Sequence, residues 1–349
     1  MPSADAASPS PLRVGILGAA NIARAFARGV AGSALASVEA VASRGAAKAE
    51  AFAAELGIPR ALPSYEALLA DPAIEAVYIP LPNDLHAEWA IRACAAGKHV
   101  LCEKPIAIGE ADARAMFDAA RRHGVVLREA YPYMAQPQTV ELRRLLAEGA
   151  VGRVQMITAA FGFRLVTTDG APVGDPANIR LLPDRGGGAL LDAGTYAVSL
   201  ARIAAGERPA RVQATRRLAT TGVDAAVAAT LEFPSGAIAQ VNCSMAVAAH
   251  RHALVVGDAG VIETGYSNHA LPGASTLPLR VRRGIQGTLP METIDLPAGD
   301  GFRLEAESFA SLVRGGGEWH GASEAESLDI AATLAAIARS APDGEWAQV

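Results

Sequence analysis

Between residues 12 and 130, short aliphatic runs alternate with alanine-rich helical stretches, and that alternation leaves the chain few folds to choose from. The runs are LRVGIL (12–17), VEAVAS (38–43), AVYIP (76–80), HVLC (99–102) and VVLREA (125–130). Between them lie a helical run opening near Asn21, then AAKAEAFAAELG, SYEALLAD, DLHAEWAIRACAAG and EADARAMFDAARRHG. Strands separated by helices form βαβ units, which build a parallel sheet covered on its faces by the helices. Gly57, Gly97 and Gly124 each follow one of these helices, where a left-handed C-cap costs glycine least.

The first turn of this pattern, ILGAANIARAFA, places Gly18, Ala20 and Ala23 where a dinucleotide fingerprint has its three small residues. The first permits the tight turn, the second lets the backbone approach a pyrophosphate, and the third lets helix pack on strand. The N–H groups opening at Asn21 and Ile22 would meet the phosphates with the positive end of the helix dipole. Ser43, Arg44 and, one helical turn on, Lys48 stand at the end of the second strand, where an NAD site usually carries an acid. A hydroxyl and a guanidinium suit a 2′-phosphate. NADP is therefore favoured over NAD, and Glu39, at the wrong end of the strand, does not change this.

The length of 349 residues exceeds what one core organises, so two domains are expected: 12–133 for the nucleotide and 134–349 for substrate and oligomer contacts, the last helices packing back on the first domain. After a helical linker, QPQTVELRRLLAEG, the pattern turns to RVQMITAAFGF, ARVQATRRL, AAVAATLEF, GAIAQVNCSM and HALVVGDAGVIE, with PSG (234–236) a hairpin signal. Helices return at FRLEAESFASLVRGG and SEAESLDIAATLAAIARS. Net charge is -5, which offers no basic footprint for nucleic acid or anionic membrane. No apolar run reaches the roughly 18 residues of a bilayer span. Residues 1–11 read as a loose tail without a targeting pattern. Three scattered cysteines fit a cytoplasmic setting, and no metal-ligand spacing occurs; His250 and His252 read as alternate residues of a surface strand.

In a doubly wound sheet, ligands sit beyond the carboxyl ends of the strands. AVYIP ends in LPNDLH and HVLC ends in EKP, so Pro82, Asn83, His86, Glu103 and Lys104 are expected on the nicotinamide side of one cleft. Asn83 also suits a helix N-cap, His86 either orders the cofactor loop or satisfies a helix start, and Glu103 braces backbone or lysine rather than handling protons. LPNDLHAEWAIRACAAGKHVLCEKPIAI resembles the Gfo/Idh/MocA oxidoreductases, and the likeness runs from Val14 into the 320s. GGGALLDAGTYAVSLAR (186–202) looks like the family's catalytic helix, with Asp192 and Tyr196 four apart on one face. Tyrosine at 196 is similar to the subgroup of glucose–fructose oxidoreductase, dimeric dihydrodiol dehydrogenase and certain xylose dehydrogenases.

The resemblance implies an α/β fold: an N-terminal Rossmann domain, then an α/β domain with an open, predominantly antiparallel sheet that often pairs with its twin, hence a homodimer or higher homo-oligomer. It implies hydride transfer between NADP(H) and a hydroxyl-bearing carbon of a sugar, cyclic polyol or vicinal diol. Tyr196 would be the acid/base, Lys104 would stabilise its phenolate and bond the reacting oxygen, and Asp192 would orient the lysine or the substrate. Relatives tend to read EAFMYRFHP where this chain reads EAYPYMAQP (129–137), so Met134 suggests a less polar pocket and Gln136 replaces a histidine. Tyr133, Arg164 and Arg180 are the substrate candidates, the arginines equally as salt-bridge partners. Two other readings stand beside this one: a glycosidase with tightly held NAD, which Ser43 and Arg44 disfavour, and a non-catalytic NADP-binding regulator, which should have lost Lys104, Asp192 or Tyr196.

Overall fold

A computed structural model of the chain describes residues 10–270 and 272–349. The expected tail lies, for positions 1–9, outside the described residues.

The aliphatic runs form six parallel strands: β1 (Leu12–Leu17), β2 (Ala36–Ala42), β3 (Arg60–Leu62), β4 (Ala76–Ile79), β5 (His99–Glu103) and β6 (Leu127–Ala130). Their order is β3-β2-β1-β4-β5-β6, with α1 (Asn21–Val30), α2 (Ala46–Leu56), α3 (Tyr65–Ala70), α4 (His86–Ala95) and α5 (Glu110–His123) as the connections. All four residues of β4 are buried, as a parallel strand covered on both faces requires. Gly57 and Gly124 do terminate their helices in the left-handed region, at φ 66° and 64°. The strand order reverses between β1 and β4, which opens a crevice beyond their carboxyl ends. Strand β3, a three-residue edge piece, went unanticipated because so short a stretch shows no periodicity.

Helix α6 (Pro137–Ala147) leads into a nine-stranded sheet. Its strands are β7 (Val154–Arg164), β8 (Arg211–Leu218), β9 (Asp224–Glu232), β10 (Ile238–Ser244), β11 (Ala246–Gly257), β12 (Gly260–Thr264), β13 (Thr276–Arg283), β14 (Glu292–Pro297) and β15 (Ala347–Gln348). They are ordered β14-β13-β12-β11-β7-β10-β9-β8-β15, and every pairing but β7 with β10 is antiparallel. The expected hairpin joins β9 to β10, closed by the Phe233 N–H on the Ala237 carbonyl at 3.0 Å. HALVVGDAGVIE is two strands and not one: it breaks at Asp258–Ala259, where the Asp258 carboxylate accepts the Arg153 N–H at 2.8 Å.

Helices α7 (Thr195–Ala205) and α9 (Glu324–Ser340) cover one face of this sheet, so Leu200, Ala201, Ile330 and Leu334 share a core with Val227, Ala229 and Val241. The other face is open, and β10 alternates exposed and buried residues along its length. Helix α8 (Gly301–Val313) returns to the first sheet, where Phe302 and Phe309 pack with Ile16, Phe26 and Tyr78.

Candidate active site

Lys104 follows the last residue of β5, at the rim where the parallel sheet stops, and the Lys104–Pro105 peptide is cis. Its ammonium donates to Asp192 Oδ1 and to the Asp192 main-chain oxygen, both at 2.9 Å. The other carboxylate oxygen of Asp192 accepts from Arg180 Nε at 2.7 Å. Burial pushes the Asp192 pKa up, but the Lys104 and Arg180 cations outweigh it and hold the carboxyl well below its usual range. Burial likewise works against the charge of Lys104, and Asp192 reverses this, so the lysine pKa ends above its ordinary value.

Asp192 does not lie on a regular helix. A π-turn, Leu190–Gly194, precedes α7, and such one-turn insertions recur at functional sites. Asp224 helps to set it, accepting the Leu190 N–H at 2.6 Å, and Gly188 (φ 115°) leaves that carboxylate room: a Cβ there would come 2.3 Å from Asp224 Oδ1.

Tyr196, on the first turn of α7, is 6% exposed. Its ring meets Phe161 and Tyr131 edge-on, with centroids 5.4 and 5.6 Å away. Lys104 Nζ is 5.0 Å from the ring centroid, and the guanidinium carbon of Arg251 is 4.4 Å from it. The Tyr196 hydroxyl is 3.5 Å from Asn268 Nδ2. Arg251 and Asn268 were not anticipated. The available signal was the position of Arg251 between two strand histidines: strand alternation turns it to the opposite face from His250 and His252.

The structure thus brings together Lys104, Asp192, Tyr196 and Arg180. It does not bring Arg164 to them: this residue is exposed at the end of β7 and makes no ion pair among the described residues. Tyr133 is fully buried behind Tyr196, its hydroxyl bonded to Ser199 at 2.7 Å, so it supports the site from within the core. Met134 is also fully buried, with Arg143 beside its sulfur, and does not line the cleft. Gln136, buried too, donates to the main-chain oxygens of Asn268 and Gly299 at 2.5 and 2.8 Å and so anchors the segment that carries Asn268.

On the nucleotide side, Gly18 has φ 124° and donates its N–H to the Ala42 carbonyl at 2.9 Å, extending the pairing of β1 with β2 to the start of the turn. A Cβ there would also touch Leu81 at 3.0 Å. Ala20 precedes α1 and no side chain caps that helix, so the first N–H groups, at Asn21 and Ile22, are unclaimed by side chains. Ser43 is buried at the end of β2, while Arg44 and Lys48 are exposed beside it. Pro82 is half-buried. The N-cap expected of Asn83 needs correction, and His86 and Glu103 take bracing roles. Asn83 caps no helix; its amide reaches across to the Gly186 carbonyl at 2.8 Å, beside an Asp84–Arg185 ion pair of 3.0 Å. His86 is fully buried, with one ring nitrogen on the Pro105 carbonyl and the other on that of Leu81, so it ties the two strand-end loops together. Glu103 turns inward: the Tyr78 hydroxyl donates to it at 2.5 Å and the Lys104 N–H at 3.2 Å, and burial raises its pKa.

A glycine turn at a sheet switch point and a lysine–carboxylate–tyrosine group beyond the next strand belong to a recognisable lineage. Residues 12–131 match the profile of an oxidoreductase family with an NAD-binding Rossmann fold, and residues 139–263 match the GFO/IDH/MocA C-terminal domain. The chain belongs to the Gfo/Idh/MocA oxidoreductase family. Among its Gfo/Idh/MocA relatives, an NADP(+)-dependent D-xylose 1-dehydrogenase of Haloferax volcanii is 41% identical over 87% of this chain and 90% of its own. A trans-1,2-dihydrobenzene-1,2-diol dehydrogenase of Danio rerio is 35% identical over 80% of each chain. A 3-ketoreductase from Actinomadura kijaniata, solved with NADP and TDP-benzene as a tyrosine-to-phenylalanine mutant, superposes with a TM-score of 0.82 at 31% identity, covering 95% of this chain and 98% of its own.

Proposed function

We propose that this Gfo/Idh/MocA member is an NADP(H)-dependent dehydrogenase or reductase acting on a CH–OH group of a sugar, cyclic polyol or vicinal diol, with Tyr196 as acid/base. The observation that carries the reading is the contact of Lys104 with Asp192 beside the Tyr196 ring, at the carboxyl end of β5. The substrate class is taken from the xylose and dihydrodiol dehydrogenases that the chain resembles.

The nucleotide site fits NADP. The uncapped start of α1 and the Gly18 turn suit a pyrophosphate, and Arg44, with no carboxylate partner among the described residues, suits a 2′-phosphate beside Ser43. Residues 12–133 are the nucleotide unit in this reading, and 134–349 carry substrate and oligomer contacts. NADP, when bound, supplies or accepts the hydride. The protein's part is proton handling and alignment. Tyr196 gives a proton to the substrate oxygen or takes one from it, while the Lys104 ammonium stabilises negative charge on either oxygen. Asp192 and Arg180 fix the lysine, and the aromatic wall of Phe161 and Tyr131 keeps water from the tyrosine ring. The open face of the second sheet is the proposed homodimer surface.

The test is NADP⁺ reduction by purified protein, followed by absorbance, against aldoses, inositols and cyclic vicinal diols, with NAD⁺ alongside. Turnover with NADP⁺ and one of these classes supports the reading. Silence across the panel with NADPH still bound overturns it.

A further inference from the structure

Arg251 is the charged group in this cleft that the proton-transfer scheme leaves unused. It comes from β11 and lies in an aromatic frame, its guanidinium carbon 4.0 Å from the Phe161 ring centroid, 4.4 Å from that of Tyr196 and 5.4 Å from that of Tyr266. One nitrogen, Nη1, is taken: it donates to the Tyr266 carbonyl at 3.0 Å and to Asn268 Oδ1 at 3.2 Å. Among the described residues, Nε and Nη2 have no partner, and neither is sealed from solvent. No carboxylate pairs with Arg251 among the described residues. The same Asn268 that holds Nη1 stands 3.5 Å from the Tyr196 hydroxyl, so the free edge of the guanidinium sits one amide away from the proton-transfer atom.

The charges around Tyr196 do not balance. Among the described residues, the charged ends of Lys104, Arg180 and Arg251 pair with one carboxylate, that of Asp192, while Glu103, which accepts the Lys104 main-chain N–H, is turned inward with its pKa raised by burial. A planar guanidinium locked on aromatic faces, with a fork of donors open, matches an oxyanion better than a neutral hydroxyl. We propose that Arg251 is a substrate-binding residue and that the substrate is a sugar derivative carrying an oxyanion, a carboxylate or a phosphate. This rests on the oxidoreductase reading above and names its substrate more closely. Arg251 grips the oxyanion, and the reacting hydroxyl is thereby presented to Tyr196 and Lys104.

The test measures binding apart from turnover. The enzyme–NADP⁺ complex is titrated calorimetrically with glucose, glucuronate and glucose 6-phosphate, using the unaltered protein, Arg251→Met and Arg251→Lys. We expect glucuronate or glucose 6-phosphate to bind more tightly than glucose, and the better of the two names the oxyanion. Arg251→Met should weaken that anion by about tenfold or more and glucose by less than about threefold, with Arg251→Lys in between. Equal losses for charged and neutral sugars would make Arg251 a mere support for the tyrosine ring and overturn the proposal. Tighter binding of glucose by the unaltered protein would overturn it too. Failure of the oxidoreductase reading shows separately, as absent NADP⁺ reduction while the charge-dependent binding persists.

Discussion

Asp192 holds the Lys104 ammonium with two different oxygens, its carboxylate and its main-chain carbonyl, each at 2.9 Å. The lysine directly follows β5 of the parallel sheet and the aspartate lies in the turn before α7, so the pair ties the rim of the first sheet to the helix that covers the second. On the proposed mechanism, replacing Lys104 by Met removes the cation that supports the Tyr196 oxygen. Turnover should fall by about 10²–10⁴-fold while NADPH affinity changes little, as stopped-flow and fluorescence titration would show. Losing one partner of a buried pair costs about 3–5 kcal/mol, and Arg180 remains to partner Asp192, so the loss in urea unfolding should sit at the low end.

Tyr196→Phe tests the proton rather than the packing. The ring contacts with Phe161, Tyr131 and Arg251 involve no hydroxyl and should survive. We expect turnover to fall by about 10²–10⁴-fold with the melting temperature nearly unchanged. Unchanged turnover would remove Tyr196 from the reaction.

Arg44 should decide between the two nucleotides. It is exposed at the end of β2, so Arg44→Ala leaves the core alone. A charge-assisted phosphate contact contributes about 1.5–3 kcal/mol, so the KM for NADP⁺ should rise roughly tenfold or more while that for NAD⁺ stays the same. Equal changes for both would place the 2′-phosphate elsewhere.

Glu129 makes stability depend on pH. It is fully buried, its carboxylate accepts the Ile106 N–H at 2.8 Å, and burial raises its pKa from 4.5 to about 7. The folded chain therefore keeps this proton at pH values where the unfolded chain has released it. Stability from this group is full below pH 4.5 and declines as pH rises towards 7, by up to about 3 kcal/mol. Glu129→Gln keeps an acceptor for Ile106 and has no proton to lose. Urea unfolding at pH 5 and pH 8 should find the variant gaining on the unaltered protein at the higher pH; parallel losses would refute the assignment.

Met156 and Ile238 are register partners on β7 and β10, 60% and 43% exposed on the open sheet face. If that face joins two copies, sedimentation should report a dimer, and Met156→Lys with Ile238→Lys should yield a folded monomer. A monomer before substitution would rule the dimer out.

Much of the first unit was legible because its signals are local. Gly18, the strand ends and the EKP turn each announce themselves within a few residues, and Lys104 follows from where a parallel sheet must end. Tyr196 and Asp192 were found through the resemblance of GGGALLDAGTYAVSLAR to the family's catalytic helix, although the π-turn that holds Asp192 carries no sequence mark. Arg251 and Asn268 escaped because strand pairing and the Gln136 anchor bring them to Tyr196 from far along the chain. Tyr133 was expected at the surface of the cleft for the opposite reason: a motif tells which residues recur together, and says nothing about which of them the packing seals away. Strands β13 and β14 were passed over, the second because an exposed edge strand needs no apolar alternation.

The π-turn at Leu190–Gly194 has a consequence for what substitutions can and cannot do here. Each residue of an α-helix advances the side chains by about 100°, so closing this turn to a regular helix by deleting one residue would swing Asp192 away from Lys104 with its carboxylate intact. The aim of that carboxylate is written in a count of residues ahead of Tyr196. Point substitutions across the turn leave the count alone, whereas a single-codon deletion would disarm the site without removing any of its chemical groups.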